Sequence, residues 1–429
     1  MVRWIAVLFL CVSAAVQAEL TIEITGGGEN AIPIAVAPFK ASGVAVPEDV
    51  GAIISADLYR SGRFRPTDPS AQPELPAGPT DVNFPLWRSA GIQNLVVGEV
   101  TPSGTGYALR FYLFDAFRGE QLTAETVTAA AKDLRFAAHS VADLIYERLT
   151  GQRGAFATRI AYVSSTRGAD GKESVALNIA DSDGHNTVGI ARSADPLMSP
   201  AWSPDASRLA YVSFEGGQPA IYVQEIATGK RERITTFPGI NGAPAWSPDG
   251  TRLAVTLSKG RNPDIYVVDV ASRAARQLTT HRAIDTEPAW SPDGQYIVFT
   301  SDRGGRPQIY RVPAAGGPEQ RITFEGTENT RASYSPDGKS LTMVTRLDGR
   351  FQIGLLDLET RGLQILSSGS LDESPGFAPN GAMIIYASSE GGRGVLSSVA
   401  VDGGVQTRLA SQGEDVREPA WSPFLNRRF

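Results

Sequence analysis

The sequence predicts two domains in series, an N-terminal α/β domain and an all-β six-bladed β-propeller closed by the C-terminal strand. Three observations support this fold class. The six-residue motif Ala-Trp-Ser-Pro-Asp-Gly, which we call the repeated word, and its variants occur six times, with an aromatic residue every 43 or 44 residues. A β-rich pattern with a period of about 40–50 residues is typical of four-stranded propeller blades. Upstream of the repeats, residues 31–150 combine strand and helix patterns, and a secretory leader comes first.

The leader comprises residues 1–18. Arg3 supplies a positive start, Trp4–Val16 is a short apolar run, and Val16-Gln17-Ala18 provides the cleavage positions. The apolar run is too short to span a membrane comfortably, so we expect cleavage rather than a retained anchor. Cys11 is the only cysteine and lies inside this segment without the small residues that a lipid-attachment site needs. The mature chain would therefore contain no disulfide and would depend on its core for stability.

Composition and charge exclude several classes of protein. Hydrophobic residues make up 42% of the chain and charged residues 20%, which is typical of a globular protein with a large core. The formal net charge of −6 makes nucleic acid a poor candidate for a partner. No second long apolar segment follows the leader, so we expect a soluble mature protein that does not span a membrane. We also expect a monomer.

Residues 19–30 form a separate unit. Apolar residues alternate with polar ones, which is a strand pattern, over Glu19, Leu20, Thr21, Ile22, Glu23, Ile24 and Thr25. The run Gly26-Gly27-Gly28 follows and permits almost any backbone direction. Two interpretations remain open: an edge strand of the α/β domain, or a detachable strand that pairs with the sheet edge of another protein.

The α/β domain is predicted from alternating strand and helix signals. Helices are indicated within Glu48–Ser61 and over Leu134–Leu149, where apolar residues recur at helical spacing. The predicted strands are Ile32–Phe39, Asn94–Val100, Tyr107–Phe114 and Gln121–Val127. The stretch Pro66–Pro85 is rich in Pro, Ala and Gly and is predicted to be an exposed loop.

The propeller is expected over residues 151–429. In each repeat the aromatic residue ends the innermost strand and packs between blades, and Ser-Pro-Asp-Gly forms the turn to the second strand. The first strand after the α/β domain, Arg159–Ser164, resembles a second strand but lacks a preceding word. The missing innermost strand is available at the C-terminus, where the sixth repeat contains only the innermost-strand sequence Glu418-Pro419-Ala420-Trp421 before the chain ends. We therefore expect the first blade to combine residues 159–191 with the C-terminal strand, which protects its sheet edge.

A search for catalytic chemistry yields no site. The three histidines, His139, His185 and His281, have no metal-ligand spacing, and we expect them to be surface or paired residues. The sequence contains no Gly-x-Ser-x-Gly elbow and no phosphate-binding Gly-x-x-x-x-Gly-Lys. The Asp residues of the repeated words form turns. We therefore predict no catalytic residue, no metal and no cofactor.

The loops that link successive blades form a ring of mixed side chains. Pro lies two positions before the aromatic residue in five of the six copies, where it is compatible with the first residue of a strand. The preceding residues are Met198 and Ser199, Gly242 and Ala243, Thr286 and Glu287, Thr330 and Arg331, Glu373 and Ser374, and Arg417 and Glu418. A wide surface of this kind suits a protein or peptide ligand better than a small metabolite. The alternative is that the ring only links blades.

The order of segments resembles the TolB family, periplasmic propeller proteins of the Tol–Pal envelope system of Gram-negative bacteria. The resemblance covers essentially the whole chain. It is carried by Gly154-Ala155-Phe156-Ala157-Thr158-Arg159, by Pro196-Leu197-Met198-Ser199-Pro200-Ala201-Trp202, by Ser301-Asp302-Arg303-Gly304-Gly305 and by the terminal Pro419-Ala420-Trp421-Ser422-Pro423. It implies a non-enzymatic periplasmic protein that binds the lipoprotein Pal and the inner-membrane-anchored TolA. Such a protein maintains outer-membrane integrity and supports envelope constriction at cell division.

The resemblance also implies where the partners bind. Pal would bind the loops before the third and fourth blades; position 240 can carry histidine in the family, but here it is isoleucine and offers no imidazole hydrogen bond. Together with the ring, the predicted Pal surface comprises Ile240, Asn241, Gly242, Ala243, Pro244, Thr286, Glu287, Pro288, Thr330, Arg331, Glu373, Arg417 and Glu418. TolA would bind Glu19, Leu20, Thr21, Ile22, Glu23, Ile24 and Thr25.

Two other classes of function stay open. One is a propeller-containing peptidase, for which residues 31–150 would have to supply a hydrolase module; they contain no nucleophile motif and only His139 among the histidines. The other is a sugar- or lactone-processing propeller. That class would favour several Asp, Glu, Asn or His ligands facing the channel.

Overall fold

The structure is a computed structural model that describes residues 20–25, 31–168, 171–260, 262–411 and 414–425. Its first element is strand β1 (Leu20–Thr25). The expected leader 1–18, the predicted partner-binding residue Glu19 and the glycine run 26–28 lie outside the described residues.

The α/β domain consists of a mixed sheet and three helices. Its strands are β2 (Ile32–Val36), β3 (Lys40–Ala41), β4 (Phe64–Pro66), β5 (Asn94–Ser103), β6 (Gly106–Asp115) and β7 (Glu120–Ala130). The strand order is β4-β2-β5-β6-β7, with β3 also paired to β5. Strand β2 pairs in parallel with β4 and β5, whereas β5, β6 and β7 form an antiparallel meander. The helices are α1 (Val50–Arg60), α2 (Phe84–Ser89) and α3 (Leu134–Thr150).

Local signals explain both predicted helices. Asp49 caps α1, its carboxylate accepting from the backbone N–H of Ala52 at 3.0 Å, and α3 ends at Gly151 with φ of +74°. Their apolar faces pack into one core with the sheet, including Ile54 and Val141. The predicted helices and strands are present, with ends shifted by a few residues.

The predicted loop Pro66–Pro85 is more ordered than the sequence indicated. It contains two short 3₁₀ turns and leads directly into α2, which was not predicted. Trp87 of α2 is fully buried, and its indole N–H donates to Glu74 Oε1 at 2.6 Å. A proline in the first turn of α2 is compatible with a helix start, so Phe84-Pro85 marked a helix rather than the end of a loop.

Six antiparallel sheets form the propeller. Their strands are β8 (Arg159–Arg167), β9 (Glu173–Asp181), β10 (Val188–Ser193), β11 (Leu197–Trp202), β12 (Arg208–Ser213), β13 (Ala220–Glu225), β14 (Arg231–Arg233), β15 (Asn241–Trp246), β16 (Arg252–Leu257), β17 (Asp264–Asp269), β18 (Ala275–Gln277), β19 (Asp285–Trp290), β20 (Tyr296–Ser301), β21 (Gln308–Pro313), β22 (Gln320–Arg321), β23 (Glu328–Tyr334), β24 (Ser340–Leu347), β25 (Arg350–Asp357), β26 (Leu363–Ile365), β27 (Asp372–Phe377), β28 (Met383–Glu390), β29 (Arg393–Ala400), β30 (Gln406–Ser411) and β31 (Asp415–Trp421).

The C-terminal strand closes the ring. Blade one has the order β10-β9-β8-β31, and β31 pairs antiparallel with β8, with Trp421 opposite Ile160. The Arg159 N–H donates to Ser422 Oγ at 3.0 Å, and the Ser422 N–H donates to the Arg159 carbonyl at 2.8 Å. Blades two to six follow in sequence order from β11 to β30. The predicted six blades and their closure are therefore confirmed.

The repeated word is part of the scaffold. In four copies the Ser hydroxyl donates to the Asp carboxylate two residues later, as from Ser247 to Asp249 at 2.5 Å. The last residue of the turn takes a positive φ, +69° at Gly250 and +57° at Ala206. The aromatic residues join blades: the Trp246 indole N–H donates to the Ala201 carbonyl of the preceding blade at 3.1 Å, and Trp202 bonds Ala420 in the same way.

Strand β1 extends the sixth blade. It pairs antiparallel with β30, Leu20 opposite Ser411 and Thr25 opposite Gln406, and it is the fifth strand of the sheet β1-β30-β29-β28-β27. The interpretation of this segment as an edge strand of the α/β sheet is therefore wrong. The outermost strands of blades two to five have two or three residues, whereas β30 has six. A six-residue edge offers a full row of unpaired backbone groups, which favours addition of a strand.

The α/β domain packs on one face of the propeller, against blades one and six. The turn between β27 and β28 contacts the interdomain connection, where Asn380 Nδ2 donates to the Arg153 carbonyl at 3.0 Å. The turn between β9 and β10 contacts α1, where the Arg60 guanidinium donates to Ser182 Oγ at 2.8 Å. In an antiparallel four-stranded blade these turns lie at the opposite end from the loops that link blades. The blade-linking loops therefore form the free face.

Candidate functional site: the free mouth of the propeller

A cavity of about 600 Å³ opens on the free face. Residues from all six blades line it, among them Met198, Ala243, Glu287, Arg331 and Glu418. The innermost strands β11, β15, β19, β23, β27 and β31 bring these residues to the channel because each begins at a blade-linking loop. We call this cavity with its surrounding loops the mouth.

Every innermost strand contains the same backbone irregularity at the mouth. Pairing with the second strand shifts by one residue between the residues that lie four positions and one position before the end of the strand. At this irregularity, one non-glycine residue in each blade has a positive φ of 47–57°: Ser199, Ala243, Glu287, Arg331, Ser374 and Glu418. This conformation costs roughly 1–2 kcal/mol per residue for non-glycine residues. Strained positions of this kind cluster at ligand sites, where the surrounding structure fixes them.

The recurrent prolines fit this irregularity. In five blades the residue after the positive-φ position is Pro, such as Pro244 and Pro288, and these prolines are buried. Because proline has no backbone N–H, no donor is left unpaired where the strands lose register. The prolines are evident from the sequence, but the bulge that they accompany is not.

The rim of the mouth carries exposed apolar side chains on one side. Ten large apolar side chains are exposed among the described residues, and six of them lie on the free face: Met198, Ile240, Ile284, Phe324, Leu347 and Leu371. Met198, Ile240 and Ile284 belong to three successive blades, two to four. Met198 and Ile240 also line the cavity, so apolar surface borders the opening on this side, as is typical of protein-binding sites.

The channel within this rim is acidic. The Arg331 guanidinium reaches across the channel to Glu418 Oε2 at 2.9 Å, and the same oxygen accepts from the Ser199 backbone N–H at 2.6 Å. Burial disfavours the charge on Arg331, but the carboxylates of Glu418, Glu287 and Glu373 outweigh burial and raise its pKa above the ordinary value. Three carboxylates thus face one guanidinium, and blades one, two and five are joined through Glu418.

The whole chain, including the mouth, is similar to proteins of one family. The family described as the TolB amino-terminal domain matches residues 20–122, and the TolB beta propeller domain matches residues 146–425. The chain is 60% identical over 430 residues to the Tol-Pal system protein TolB of Thioalkalivibrio sulfidiphilus, with 99% of both chains covered. This chain belongs to the TolB family. It is also 61% identical over 422 residues to the protein of the same description from Methylococcus capsulatus, with 98% of both covered.

A solved TolB structure shares the fold. The crystal structure of TolB from Acinetobacter baumannii superposes with a TM-score of 0.87 at 41% sequence identity, covering 95% of this chain and 100% of that chain. The resemblance to TolB stated from the sequence is confirmed. Across the ranges that the structure describes, no helix is both long and apolar enough to cross a bilayer.

Ten of the thirteen residues predicted for the Pal-type surface line the mouth: Ile240, Asn241, Gly242, Ala243, Pro244, Thr286, Glu287, Pro288, Arg331 and Glu418. Thr330, Glu373 and Arg417 are not in its wall; Arg417 instead pairs with Asp415 at 3.0 Å. Asn241 is buried, and its amide donates to the Phe237 and Gly239 carbonyls, so it shapes the loop rather than presenting a polar contact. Phe214 and Pro219 line the mouth and were not predicted; they lie in a hairpin without a distinctive motif.

The residues predicted to bind TolA are placed elsewhere. Leu20, Thr21, Ile22, Glu23, Ile24 and Thr25 form β1 at the outer edge of blade six. In that sheet three strands lie between β1 and β27, the strand that borders the channel. The predicted surfaces for the two partners are thus separate.

One group of three potential metal ligands occurs among the described residues, His139, Asp181 and Asp183, between the domains. Asp183 Oδ2 already accepts from the Arg135 guanidinium at 2.6 Å and 2.9 Å. A carboxylate neutralised by arginine is a poor ligand for a cation. This group is therefore an ionic contact, and sequence spacing did not reveal it because Asp183 belongs to the propeller.

Proposed function

We propose that this chain acts in the periplasm as a non-enzymatic adaptor of the Tol–Pal system. Its mouth binds a Pal-type peptidoglycan-associated lipoprotein, and its N-terminal strand binds a TolA-type inner-membrane-anchored protein. Through these partners it maintains outer-membrane integrity and supports envelope constriction at cell division. The observation that carries the proposal is the mouth, an open cavity with exposed apolar side chains on one side of its rim, on the face left free by the α/β domain.

The character of the mouth supports a protein ligand. The apolar side chains of Met198 and Ile240 line one side of the opening, with Ile284 exposed in the next blade-linking loop, and Arg331 and Glu418 form an ion pair in the channel. Protein interfaces combine an apolar core with a few fixed polar groups in this way. None of the described residues that line the mouth is a histidine, and no nucleophile–base pair is found there. The enzyme classes left open by the sequence therefore receive no support from the geometry of the mouth.

The position of β1 supports a switch between two partners. The backbone edge of β1 that pairs with β30 is also one that a strand of a TolA-type partner could use. Binding of TolA and docking on β30 would then compete. If Pal binding favours the docked strand, reciprocal linkage requires TolA binding to weaken Pal binding. TolA would thereby remove the adaptor from Pal and leave Pal free to bind peptidoglycan.

Thr286→Arg tests the mouth. Thr286 lies at the inner strand of blade four, and its hydroxyl is 3.2 Å from Thr256 Oγ1. An arginine there would fill part of the cavity, and we expect weaker binding of the soluble domain of a Pal-type protein in calorimetry, with an unchanged melting temperature. Thr228→Arg, on an exposed outer turn, is the matched control. Undiminished binding by Thr286→Arg would place the site elsewhere.

Deletion of residues 19–30 tests the strand. We expect the truncated chain to lose calorimetric binding of a TolA-type domain while it still binds the Pal-type domain. The exchange of Ile22 and Ile24 for Asp in the full chain is a milder version, because it removes the apolar side of the strand pattern. If TolA-type affinity stays the same in both variants, the assignment of this segment is refuted.

A further inference from the structure

A buried ionic cluster joins the two domains. Helix α3 contributes Arg135, His139 and Asp143, spaced by four residues and therefore on one face of the helix. Helix α1 contributes Asp57 and Arg60. The propeller contributes Ser182 and Asp183 from the turn between β9 and β10. We call these seven residues the interdomain cluster.

His139 lies at the centre of the cluster with carboxylates on both sides. Its side chain is fully buried, Nδ1 is 2.6 Å from Asp57 Oδ2, and Nε2 is 3.3 Å from Asp183 Oδ2. A neutral imidazole has one N–H, so its other nitrogen would direct a lone pair at a carboxylate oxygen. In the doubly protonated imidazolium, Nδ1 donates to Asp57, and Nε2 carries a proton at ion-pair distance from Asp183 without a well-aligned hydrogen bond. The geometry therefore indicates a charged His139 that bridges the α/β domain and the propeller.

The remaining charges around His139 are paired. Arg60 contacts Asp57 at 3.0 Å as well as Ser182, and Arg135 contacts both Asp183 and Glu48. From the propeller, His185 Nδ1 lies 3.0 Å from Arg135, and Asp181 accepts from Asn186 at 2.7 Å. Asp143, one turn further along α3, accepts from the Phe156 and Ala157 backbone N–H groups. Removing the His139 charge would leave Asp57 and Asp183 with less compensation in a buried site.

We propose that protonated His139 is a proton-dependent latch between the domains, so that separating the domains releases its proton. The proposal goes beyond partner binding, since it concerns the junction on the face opposite the mouth. It stands on the position of both imidazole nitrogens between carboxylates of different domains. The pKa of His139 agrees: burial alone would lower it, but Asp57 and Asp183 outweigh burial and raise the pKa to about 10.

Docking of the two domains should weaken as the pH rises, because the docked state holds the proton on His139. Asp57 lies in the same domain as His139 and still faces it after separation, so the pKa of His139 in the separated α/β domain stays above the free value of about 6.5. The contact with Asp183 raises the pKa further in the docked state, so it favours docking fully below the pKa of the separated domain. That contribution is lost as the pH rises through the docked value of about 10. Between these limits the docking equilibrium should fall by up to about tenfold per pH unit. Asp143, whose pKa burial raises to about 7, is already mostly ionised above pH 7.5 and adds little to the slope there.

The charge is tested first by NMR on the full chain labelled with ¹⁵N-histidine. The sequence has three histidines, so three imidazole spin systems are expected, and the one missing in His139→Gln identifies His139. We expect His139 to show two protonated nitrogens at pH 8.5. A neutral tautomer at that pH would overturn the proposal. If His139→Gln failed to fold, His185→Gln and His281→Gln would identify the His139 signal by elimination.

The latch is tested by energy transfer between the domains. The only native cysteine is Cys11, so a mature chain that carries Ser103→Cys and Ala271→Cys, both exposed positions, can be labelled on each domain. In the parent, the urea concentration at which half of the molecules have separated domains should decrease when the pH is raised from 7.5 to 9.5. The equilibrium constant for docking should decrease by up to about a hundredfold over this range.

Matched variants separate the latch from a general pH effect. His139→Gln should separate at lower urea at pH 7.5 and show a flat profile. Asp183→Asn should reduce the slope, because His139 loses one of its carboxylates. His281→Gln, at an exposed histidine outside the cluster, should behave like the parent. A parent without a slope, or a His139→Gln variant that keeps it, would refute the latch.

Discussion

Trp246 and Trp290 provide a matched pair for measuring how the repeated word stabilises the propeller. Both indoles are nearly buried, with 8% and 7% exposure, and each has an arginine over its ring, Arg208 at 4.5 Å and Arg252 at 5.0 Å. They differ in one respect. The Trp246 N–H donates to the Ala201 carbonyl at 3.1 Å, whereas the Trp290 N–H has no hydrogen-bond partner among the residues that the structure describes.

Substitution by phenylalanine isolates this difference. Trp246→Phe removes the hydrogen bond and leaves a carbonyl without its partner, which costs about 1–3 kcal/mol. Trp290→Phe removes an unpaired donor instead, which offsets part of the lost packing. Because the two rings have similar burial, the packing losses should be similar, and Trp246→Phe should lower the free energy of unfolding by about 1–3 kcal/mol more.

The assay is urea unfolding of the propeller followed by near-ultraviolet circular dichroism, with both variants and the parent measured together. Equal m-values would show that the difference lies in stability rather than in the denatured state. Equal losses for the two variants, or a larger loss for Trp290→Phe, would refute the reasoning from the indole hydrogen bond.

Three further predictions concern the scaffold. Deleting residues 416–429 removes most of β31 and should lower the melting temperature steeply, whereas deleting 426–429 should not; a longer truncation that melts like the parent would contradict closure. Ala206→Gly should raise the free energy of unfolding by about 1 kcal/mol, since Ala206 has a φ of +57° where other copies have glycine; a loss of stability in urea would count against strain at this turn. Burial raises the pKa of Asp143 to about 7, so its contribution to stability is present at acidic pH and lost as the pH rises through 7. Asp143→Asn should therefore flatten the pH profile of thermal unfolding between pH 4 and 7, and a profile identical to that of the parent would show that Asp143 does not titrate there.

The sequence predicted the parts of the fold that depend on local chemistry. Ser-Pro-Asp-Gly determines its turn almost by itself. The strand that begins at Arg159 has no copy of the repeated sequence before it, which indicated that the C-terminal strand completes blade one. The location of β1 could not be predicted in this way. Alternating residues identify a strand but not its partner: β10 and β30 are both six-residue outer strands, and β1 pairs with β30.

The site was predicted only in outline for similar reasons. The positive-φ positions of the mouth carry Ser, Ala, Glu, Arg, Ser and Glu, so no residue type marks them, and only the following proline recurs. Arg135, His139 and Asp143 recur every four residues, which places three polar side chains on one face of a helix. Their partners, such as Asp57 and Asp183, come from other parts of the chain, so the sequence does not show that they form a cluster.

Closure by the last strand has a consequence for biosynthesis. Thr158 and Trp421, which bond through the indole N–H at 2.8 Å, are 263 residues apart, so the ring stays open until nearly the whole chain has been made. Joining ends so distant costs about 5 kcal/mol of chain entropy, which the blades formed earlier reduce by bringing the ends together. Ribosome stalling or proteolytic loss near the C-terminus would leave blade one with an unpaired inner edge. An incomplete chain would thus expose a surface that marks it for degradation or aggregation, which makes closure a checkpoint for full-length synthesis.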